Sequence, residues 1–453
     1  MPHEVGSYAA VSYCWGPPGT ANLRTTQGTL KSRKSSLFLD GETIPGTLQD
    51  AITITGSLGI RYLWIDALCI VQDDVEDWEK EAAKMQTVYA NAEVTLAATD
   101  STDCNGGLFH DTKPSLLQFT EKHTYRSMKL YACLENVESE LYRTLDRSPL
   151  NQRGWTFQES LLSRRLVHFS DVQLVWECKT HVATEYGLLA WGKGEQSKRP
   201  FALLPTRGPR SSDGSNAPPP PAPEDWDALV ESFSSRRFTE NEDRVSAMAG
   251  VVLLFEAALR DIPLAGLWKR DLAAGLLWYL DTPSESDAPP ELTHVPSWSW
   301  MSLMDGIRYD PKRRRSVTHG DKSWKRLEIR NVTLDWTGTA LTSKIAFAWL
   351  ELSGLVLPYG KVASEGGYTQ FLDRMSEKPD LALFVQQASE RWVRGGDRTG
   401  RASEAPVFTY HFLLLSRNLE ANQYRRVGVF TVKSLFRPSS ILSTASRQTL
   451  ELI

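Results

Sequence analysis

The sequence predicts an α/β fold for its first 200 residues and a separate α+β or β-rich region further on. Strand-like and helix-like segments alternate from Tyr8 to Ala98, and a Pro-, Gly- and Ser-rich segment interrupts the chain at 205–223. Such alternation is typical of a parallel sheet with helices on its faces. The composition of the interruption is typical of a linker. We therefore predict a domain at 1–200, a linker at 201–224, and a helical, then β-rich region at 225–453.

Composition and charge are those of an ordinary soluble globular protein. The 453 residues are 41% hydrophobic and 23% charged, and a net charge of -4 gives no general attraction to nucleic acids or membranes. The five cysteines are scattered without a CxxC pair, as is typical of a reducing compartment. No signal peptide is evident, and the longest apolar stretch, Val245–Phe255, is too short to span a membrane. We expect a cytoplasmic protein with neither nucleic-acid nor membrane partners.

The first strand and the first strong helix are predicted near the start of the chain. Tyr8–Trp15 has the pattern of a strand that ends in a Gly-Pro-Pro-Gly turn. A core strand that begins this early leads us to expect that an upstream segment has been lost. Thr47 and Asp50 follow Pro45 with capping-box spacing and predict a helix start there, and Gly59 predicts its end.

The stretch Arg61–Ala98 predicts a β-α-β unit. Its apolar run Tyr62–Ile70 is typical of a strand buried on both faces, and Asp66 is the one charge within that run. A lone carboxylate in a buried strand costs several kcal/mol unless it is paired or solvated. Asp66 is therefore expected to have a partner or a function.

The helix of this unit is predicted from its capping residues and its period. Asp73 and Asp74 stand where a helix start favours acidic side chains. One apolar face then carries Trp78, Ala82, Met85 and Tyr89. With Trp64, the aromatic members of this unit are interpreted as core residues.

A second strong helix is predicted from Ser148-Pro149, with Pro at the first helical position. Residues 119–135 before it, and 166–169 and 173–178 after it, predict strands. Beyond the linker, 225–278 is mostly helical by period. Residues 295–300, 346–357 and 408–415 predict strands, and 381–393 predicts a helix.

Common catalytic motifs are absent: the sequence has no GxGxxG, Walker A, HExxH or GxSxG. Cys178 and His181 have a metal-ligand spacing, but no second pair follows, so no metal site is predicted. The basic run Lys312–Arg315 is interpreted as a solvated loop and not as a nucleic-acid site. Cys69 is either a small buried thiol or, with His168, the nucleophile of a cysteine hydrolase.

Six blocks of sequence follow one another between Tyr8 and Cys178: YAAVSYCWG, LQDAI, LGIRYLWIDALCIVQDD, DWEKEAAKMQTVYANA, LNQRGWTFQESLLSRRLVHF and WEC. Together they resemble the fungal heterokaryon-incompatibility (HET) domain. The later half resembles the tail found with many such domains, in SFSSRRFTENEDRVSAMAG, AGLW, VPSWSW and YRRVGVF. The resemblance implies a role in fungal self/non-self recognition, in which an activated HET domain triggers growth arrest or programmed cell death.

The resemblance also implies a fold and a chemistry. HET domains have been proposed as distant relatives of TIR domains, some of which cleave NAD to nicotinamide and an ADP-ribose product. The N-terminal sheet is therefore expected to have a TIR-like, flavodoxin-like strand order. TIR enzymes place their catalytic Glu in a helix within a pattern like WCxxEL. The segment Trp155–Glu159 is similar, with Thr156 in place of Cys, and Glu159 is expected in the catalytic role.

The chemistry needs specific groups around the ribose. Cleavage of the nicotinamide bond builds positive charge on the sugar, which a carboxylate in a site that excludes bulk water can stabilise. Asp66, near the carboxyl end of a central strand, and Arg153, whose fork suits a pyrophosphate, are expected to bind the substrate. The expected aromatic contacts are Tyr13, Trp15 and Trp155. NAD is the expected substrate, and no metal or bound cofactor is required.

Structural and non-catalytic interpretations stand beside these roles. Asp66 is alternatively paired with Arg61 or Arg153 inside the sheet, and Arg153 is then a structural partner of a carboxylate. Glu159 is alternatively an acid on the helix surface. The alternative function is a non-enzymatic death effector or scaffold that acts through protein-protein interaction. In either case the recognition partner is a protein that the sequence does not identify, and homo-oligomerisation on activation is expected.

Overall fold

The computed structural model describes residues 5–36, 42–110, 116–123, 126–133, 145–178, 182–185, 187–189, 221–285, 292–310, 327–364, 368–393, 404–418, 423–434 and 442–453. The chain divides into two compact units, of which the first comprises residues 1–204, 236–238 and 247–251. The second comprises residues 205–235, 239–246 and 252–453. Most of the predicted linker, His181 and the basic run at 312–315 lie outside the described residues, so the linker stays a prediction.

The first unit contains most of the predicted α/β elements. They are, in chain order, β1 (Tyr8–Ser12), α1 (Gln27–Ser35), α2 (Gly46–Ser57), β2 (Tyr62–Trp64), α3 (Asp66–Cys69), α4 (Val75–Ala82), α5 (Met85–Asn91), β3 (Val94–Ala98), β4 (Leu116–His123), β5 (Arg126–Cys133), α6 (Gly154–Leu162), β6 (Arg165–Phe169), β7 (Leu174–Cys178), β8 (Val182–Thr184) and β9 (Gly187–Leu189). β4 and β5 form a separate antiparallel hairpin.

The other strands of this unit form one seven-stranded mixed sheet in the order β2-β1-β3-β6-β7-β8-β9. Pairing is parallel from β2 through β6 and antiparallel from β6 to β9. The α/β class is confirmed, but the wholly parallel sheet is wrong at this end. Only residues 170–173 separate β6 from β7, and so short a connection can join only antiparallel strands. A TIR-like strand order is not confirmed.

β1 forms the centre of the parallel part of the sheet. Ala9 pairs with Leu63 of β2 on one side and with Val94 of β3 on the other. Residues 9–12 are all buried, which explains why this strand reads as a continuous apolar run. The core around it includes Leu48 and Ala51 of α2 and residues of β3. The chain segment that follows β1 is thereby held against the edge of a packed sheet.

Asp66 lies in a helical turn and not in a strand. β2 ends at Trp64, and α3 begins at Asp66, whose Oδ1 accepts a hydrogen bond from the Ala67 backbone nitrogen at 2.7 Å. The strand predicted over Tyr62–Ile70 is therefore wrong after Trp64. A short buried apolar run is compatible with either element, and a side chain that binds the adjacent backbone favours a turn.

The predicted helix of the β-α-β unit is confirmed at its start but is two helices. Asp74 caps α4, because its Oδ1 accepts from the backbone nitrogens of Glu76 and Asp77, both at 3.1 Å. α4 ends at Ala82, and α5 begins at Met85. Ala82, Met85 and Tyr89 are buried as their period predicts, so the break leaves the apolar face intact.

The predicted helix start after Pro45 is confirmed, but its capping box is wrong. Thr47 Oγ1 instead accepts from the Gly107 backbone nitrogen at 3.1 Å, and Asp50 Oδ2 accepts from the Leu108 backbone nitrogen at 2.7 Å. Both side chains therefore fasten a distant loop onto α2. Gly59 has φ +71°, a left-handed conformation that favours glycine and ends the helix as predicted.

The helix predicted from Pro149 begins later than expected. Leu150–Gln152 form a 3₁₀ turn, and α6 starts at Gly154 after Arg153 at the N-cap. Pro149 still has the helical φ that its ring imposes. The consequence is that Arg153 lies at the N-terminus of α6 and Glu159 lies within its buried face.

The second unit combines helices with an antiparallel sheet. Its elements are α7 (Pro223–Ser234), α8 (Asp243–Ser246), α9 (Ala249–Leu259, whose first residues count with the first unit), β10 (Pro263–Leu264), β11 (Leu267–Trp268), α10 (Leu272–Gly275), β12 (Glu328–Trp336), β13 (Ile345–Pro358), α11 (Tyr359–Ala363), β14 (Tyr368–Leu372), β15 (Leu381–Val393), β16 (Glu404–Asn418), β17 (Gln423–Ser434) and β18 (Ser446–Leu452). The large sheet has the order β12-β13-β15-β16-β17-β14, and β18 pairs with β13 and β17.

Two element predictions for this unit are wrong. Residues 381–393 form β15 and not a helix, because this segment pairs with β13 on one side and β16 on the other. Residues 295–300 form turns that lead into a 3₁₀ turn at Trp300–Ser302. Trp298, Ser299 and Trp300 are all fully buried, whereas a strand with the predicted alternation would expose one face. The strands predicted at 346–357 and 408–415 are confirmed within β13 and β16.

A membrane-spanning helix is not found in the part of the chain that the structure describes. None of its helices is both long enough and apolar enough to cross a bilayer.

Candidate active site

The predicted site residues lie at the carboxyl ends of β1 and β2. Tyr13 and Trp15 follow the last residue of β1, and Asp66 comes two residues after β2. After β2 the chain continues to β3, which lies on the other side of β1, so the strand order reverses at β1. Open α/β sheets commonly bind ligands outside the carboxyl ends of the strands at such a reversal.

Arg153 reaches this edge of the sheet from the N-terminus of α6. Its Nη1 donates a hydrogen bond to the Tyr13 carbonyl oxygen at 2.9 Å. The positive charge of Arg153 lowers the pKa of Asp66 and also that of Glu159. The guanidinium group of Arg153 therefore stabilises the charged form of both carboxyl groups, and Arg153, Asp66 and Glu159 lie close together, as the proposed chemistry needs.

Asp66 is held by donors on several sides. Trp15 Nε1 donates to its Oδ2 at 2.9 Å, and the Ala67 backbone nitrogen donates to its Oδ1 at 2.7 Å. Burial raises the pKa of Asp66, and the Ala67 hydrogen bond, the Arg153 charge and the Trp15 side chain counteract that rise. Arg153 is thus a cation that stabilises the Asp66 carboxylate. The Arg61 guanidinium lies over the Tyr62 ring, 5.3 Å from its centroid.

Glu159 lies in the buried face of α6, where its side chain is only 5% exposed. The interpretation of Glu159 as an acid on the helix surface is therefore wrong. Burial raises the pKa of Glu159 to about 7, with a further rise from the negative charge of Asp66. The side chains of Ser12 and Tyr89 and the charge of Arg153 oppose this rise. At neutral pH the Glu159 carboxyl is consequently poised between its two protonation states, as is common at functional sites.

The three predicted aromatic contacts differ in accessibility. Trp15 is partly exposed, and its Nε1 is committed to Asp66. Tyr13 is buried, and its hydroxyl accepts from Asn22 Nδ2 at 3.3 Å. Trp155 is partly exposed and packs edge-to-face on Trp78, with 5.9 Å between ring centroids. Stacking of any of these rings on a ligand stays a prediction.

Three residues of this arrangement were not assigned to the site from sequence. Ser12 is the last residue of β1, and its side chain lowers the pKa of Glu159. Tyr89 is a buried core residue as its period predicts; its hydroxyl donates to the Val11 carbonyl oxygen at 3.1 Å, and its side chain also lowers the pKa of Glu159. A buried tyrosine usually needs a partner for its hydroxyl, but Val11 meets that need, so no pattern in the sequence pointed from Tyr89 to Glu159. Arg236, from much later in the chain, also lies in the electrostatic field of Glu159.

The geometry is against a Cys69–His168 pair. His168 Nδ1 lies 3.1 Å from Thr99 Oγ1, and its Nε2 lies 3.3 Å from Glu177 Oε2, so both ring nitrogens have other partners. Cys69 is exposed, so the expectation of a small buried thiol is wrong. Desolvation by the atoms around its sulfur nevertheless raises the pKa of the Cys69 thiol to about 11, which disfavours the thiolate that a nucleophile needs. Among the residues with described side chains, no group of three or more His, Cys, Asp or Glu is placed to hold a metal ion.

Comparison with known proteins gives one result. The family model described as "Heterokaryon incompatibility protein (HET)" matches residues 8–159. This range begins with β1 and ends at Glu159, and it contains every residue predicted for the site. No curated protein and no solved structure matches the chain.

Proposed function

Residues 8–159 of this chain are a HET domain, and from that premise we propose that the protein is an effector of fungal self/non-self recognition that acts by cleaving NAD. The HET domain indicates a heterokaryon-incompatibility-type function. The proposal adds a chemical step at the carboxyl ends of β1 and β2, and programmed cell death as its outcome. The observation that carries the proposed step is the buried Glu159 carboxyl, which has a pKa of about 7 and shares Arg153 with Asp66.

The proposed reaction is hydrolysis of the bond between nicotinamide and ribose. The C1′–N bond breaks, its electron pair stays on the nicotinamide ring nitrogen, and positive charge develops on the ribose. Water then adds to C1′ and releases a proton, giving nicotinamide and ADP-ribose. Because nicotinamide leaves as a neutral ring, it needs no general acid. The form of Glu159 that helps is therefore the ionised carboxylate, which stabilises the sugar cation and accepts the proton of the attacking water.

Each neighbour of Glu159 has a proposed part in binding. The Asp66 carboxylate would accept hydrogen bonds from ribose hydroxyls, and the Arg153 guanidinium would pair with the pyrophosphate. Trp15 and Trp155 keep part of their surface accessible, which suits stacking on a planar base, and Tyr13 would support the same wall. Burial of Glu159 supports the exclusion of bulk water that such chemistry requires.

The proposal also covers how the protein is activated and in which cellular compartment it acts. We propose that an unidentified partner protein, or assembly of several copies, switches the site on. Cys14, Cys69 and Cys104 form no disulfide, which supports a reducing, cytoplasmic setting. The TIR-like relationship that the sequence suggests motivates NAD as the substrate.

The test is nicotinamide release from NAD by the purified full-length protein, measured by chromatography at low and at high protein concentration. We expect release by the wild type and a loss of about a hundredfold or more in Glu159→Gln. Glu93→Gln is the matched control, because Glu93 is half exposed and pairs with Arg165 on the surface. No release by concentrated wild type, or release that Glu159→Gln leaves intact, contradicts the proposal.

A second experiment separates the enzyme from a non-enzymatic effector. Expression in a fungal host should arrest growth, and Glu159→Gln should relieve that arrest. If Glu159→Gln keeps full toxicity while a change that unfolds the first unit abolishes it, the effector acts by binding partners alone.

A further inference from the structure

Two short segments from beyond the family match pack against α6, the helix that carries Glu159. They are residues 236–238 and 247–251, which belong to the first unit although they follow the predicted linker in sequence. We call these two segments the brace. Because the family match ends at Glu159, the HET domain in this chain has structural support that the matched range does not include.

The first contact of the brace is made by backbone at the start of α6. The Arg237 backbone nitrogen donates to the Gln152 carbonyl oxygen at 2.7 Å, and the Gly154 backbone nitrogen donates to the Arg237 carbonyl oxygen at 2.8 Å. The Gly154 nitrogen is one of the donors that a helix N-terminus leaves without an intrahelical acceptor. The brace therefore supplies the acceptor that the first residue of α6 requires.

The second contact is a close packing that only glycine allows. A Cβ at Gly154 would lie 1.9 Å from Cζ of the Phe238 ring. The ring thus occupies the space where any other residue at position 154 would place its side chain. This contact fixes the distance between the brace and the first turn of α6.

The third contact is made by the Arg236 side chain. Its Nη1 donates to the Arg153 carbonyl oxygen at 3.1 Å and to Thr156 Oγ1 at 3.2 Å. Its guanidinium lies over the Phe157 ring, 4.8 Å from the centroid. Burial lowers the pKa of Arg236 to about 10, and the negative charges of Asp146 and Glu159 oppose that effect. Arg236 therefore contacts α6 at its N-cap, Arg153, and also at Thr156 and Phe157, which lie between Arg153 and Glu159 in sequence.

The fourth contact lies next to Glu159 in sequence. The Gly250 backbone nitrogen donates to Gln158 Oε1 at 2.8 Å, and Gln158 is fully buried. A Cβ at Gly250 would lie 2.6 Å from Gln158 Oε1 and 2.7 Å from Gln86 Cβ. The middle of α6 is thus held as closely as its start.

We propose that the brace positions Glu159 and Arg153 against Asp66, and that Arg236 is its positioning residue. The inference rests on the proposed function for the role of Glu159, but the placement of α6 is measurable without NAD. Arg236 acts through Arg153, Thr156 and Phe157 and does not itself contact the reacting atoms. The region after the linker is then required for the HET site to be in its working geometry.

The first arm of the test measures α6 directly in the full-length protein, without substrate. Hydrogen-deuterium exchange of peptides covering 154–162 should be about tenfold faster or more in Arg236→Met, because both hydrogen bonds from Arg236 Nη1 are lost. Arg236→Lys should restore part of the protection. Arg237→Ala is the matched control, since its side chain is exposed and only its backbone contacts α6. Exchange in β13 and β17 should not change in any variant.

The second arm measures nicotinamide release. Arg236→Met should lower kcat by about tenfold or more and move the pH midpoint of activity, because displacing α6 changes the surroundings of Glu159. If Arg236→Met fails to fold, Arg236→Lys carries this arm with a smaller loss of kcat. Unchanged α6 exchange together with unchanged kcat in both variants overturns the inference. If the wild type releases no nicotinamide but α6 exchange responds as expected, the brace stands and NAD cleavage fails.

Discussion

Replacing Glu159 by Gln tests the electrostatic state of the site without any substrate. In the folded protein the pKa of Glu159 is about 7, against an ordinary value of 4.5. The folded state therefore binds the proton more tightly than the unfolded state, and stability falls as pH rises from about 4.5 through 7. The difference between the two values corresponds to about 3 kcal/mol lost by pH 8. Glu159→Gln carries no charge at any pH, so the variant should not have this loss.

The assay is urea unfolding at pH 4.5 and at pH 8, followed by pulsed hydrogen exchange in peptides covering 154–162. These peptides report on the first unit, because a chain with two units need not unfold in one step. Relative to wild type, Glu159→Gln should be more stable at pH 8 than at pH 4.5 by about 3 kcal/mol. Glu93→Gln, an exposed control, should show no such difference. If the free energy of unfolding depends on pH in the same way in wild type and in Glu159→Gln, burial does not raise the pKa of Glu159 and the reasoning is refuted.

Three further predictions address other parts of the structure. Trp15→Phe keeps an aromatic ring but removes the donor at 2.9 Å from Asp66; urea unfolding should show a loss of about 1–3 kcal/mol, and KM for NAD should rise. Gly154→Ala places a Cβ 1.9 Å from Cζ of the Phe238 ring. The free energy of unfolding of the first unit should therefore fall by about 3 kcal/mol or more in the same assay. Arg426→Met removes the guanidinium that donates to the buried Asp373 carboxyl and leaves it with the weaker influence of the Arg374 charge; hydrogen exchange in β17 should show that the second unit loses about 3–5 kcal/mol of stability.

Sequence patterns predicted the elements whose signals are local. The Asp74 cap, the buried face of α5 and the glycine end of α2 all depend on residues within one or two helical turns. The alternation of strand and helix up to Ala98 likewise identified the α/β class. For the site, strand position predicted only that Asp66 would lie at the carboxyl edge of the sheet. Glu159 was chosen from the family resemblance and Arg153 from its affinity for phosphate, and their closeness to Asp66 is a result of the fold.

Non-local pairing explains what the sequence patterns missed. Residues 381–393 carry no signal that separates a helix from a strand, and β13 and β16 on either side decide the outcome. The turn at Asp66 depends on a side chain that accepts a hydrogen bond from the backbone nitrogen of the next residue, Ala67. Arg236 joins α6 through contacts that no local pattern encodes. The resemblance of the segment SFSSRRF to a HET-associated tail was the only hint that this part of the chain matters.

The pH dependence of nicotinamide release tests the central claim most directly, since it asks whether Glu159 acts as an ionised carboxylate. Activity of the full-length protein should rise with pH around an apparent pKa near 7. At about pH 6 it should be roughly a tenth of its maximum, and at about pH 8 roughly nine-tenths. Glu159→Gln should show only residual activity without this rise. A wild-type rate that is flat or falls between pH 6 and pH 8 would contradict the account.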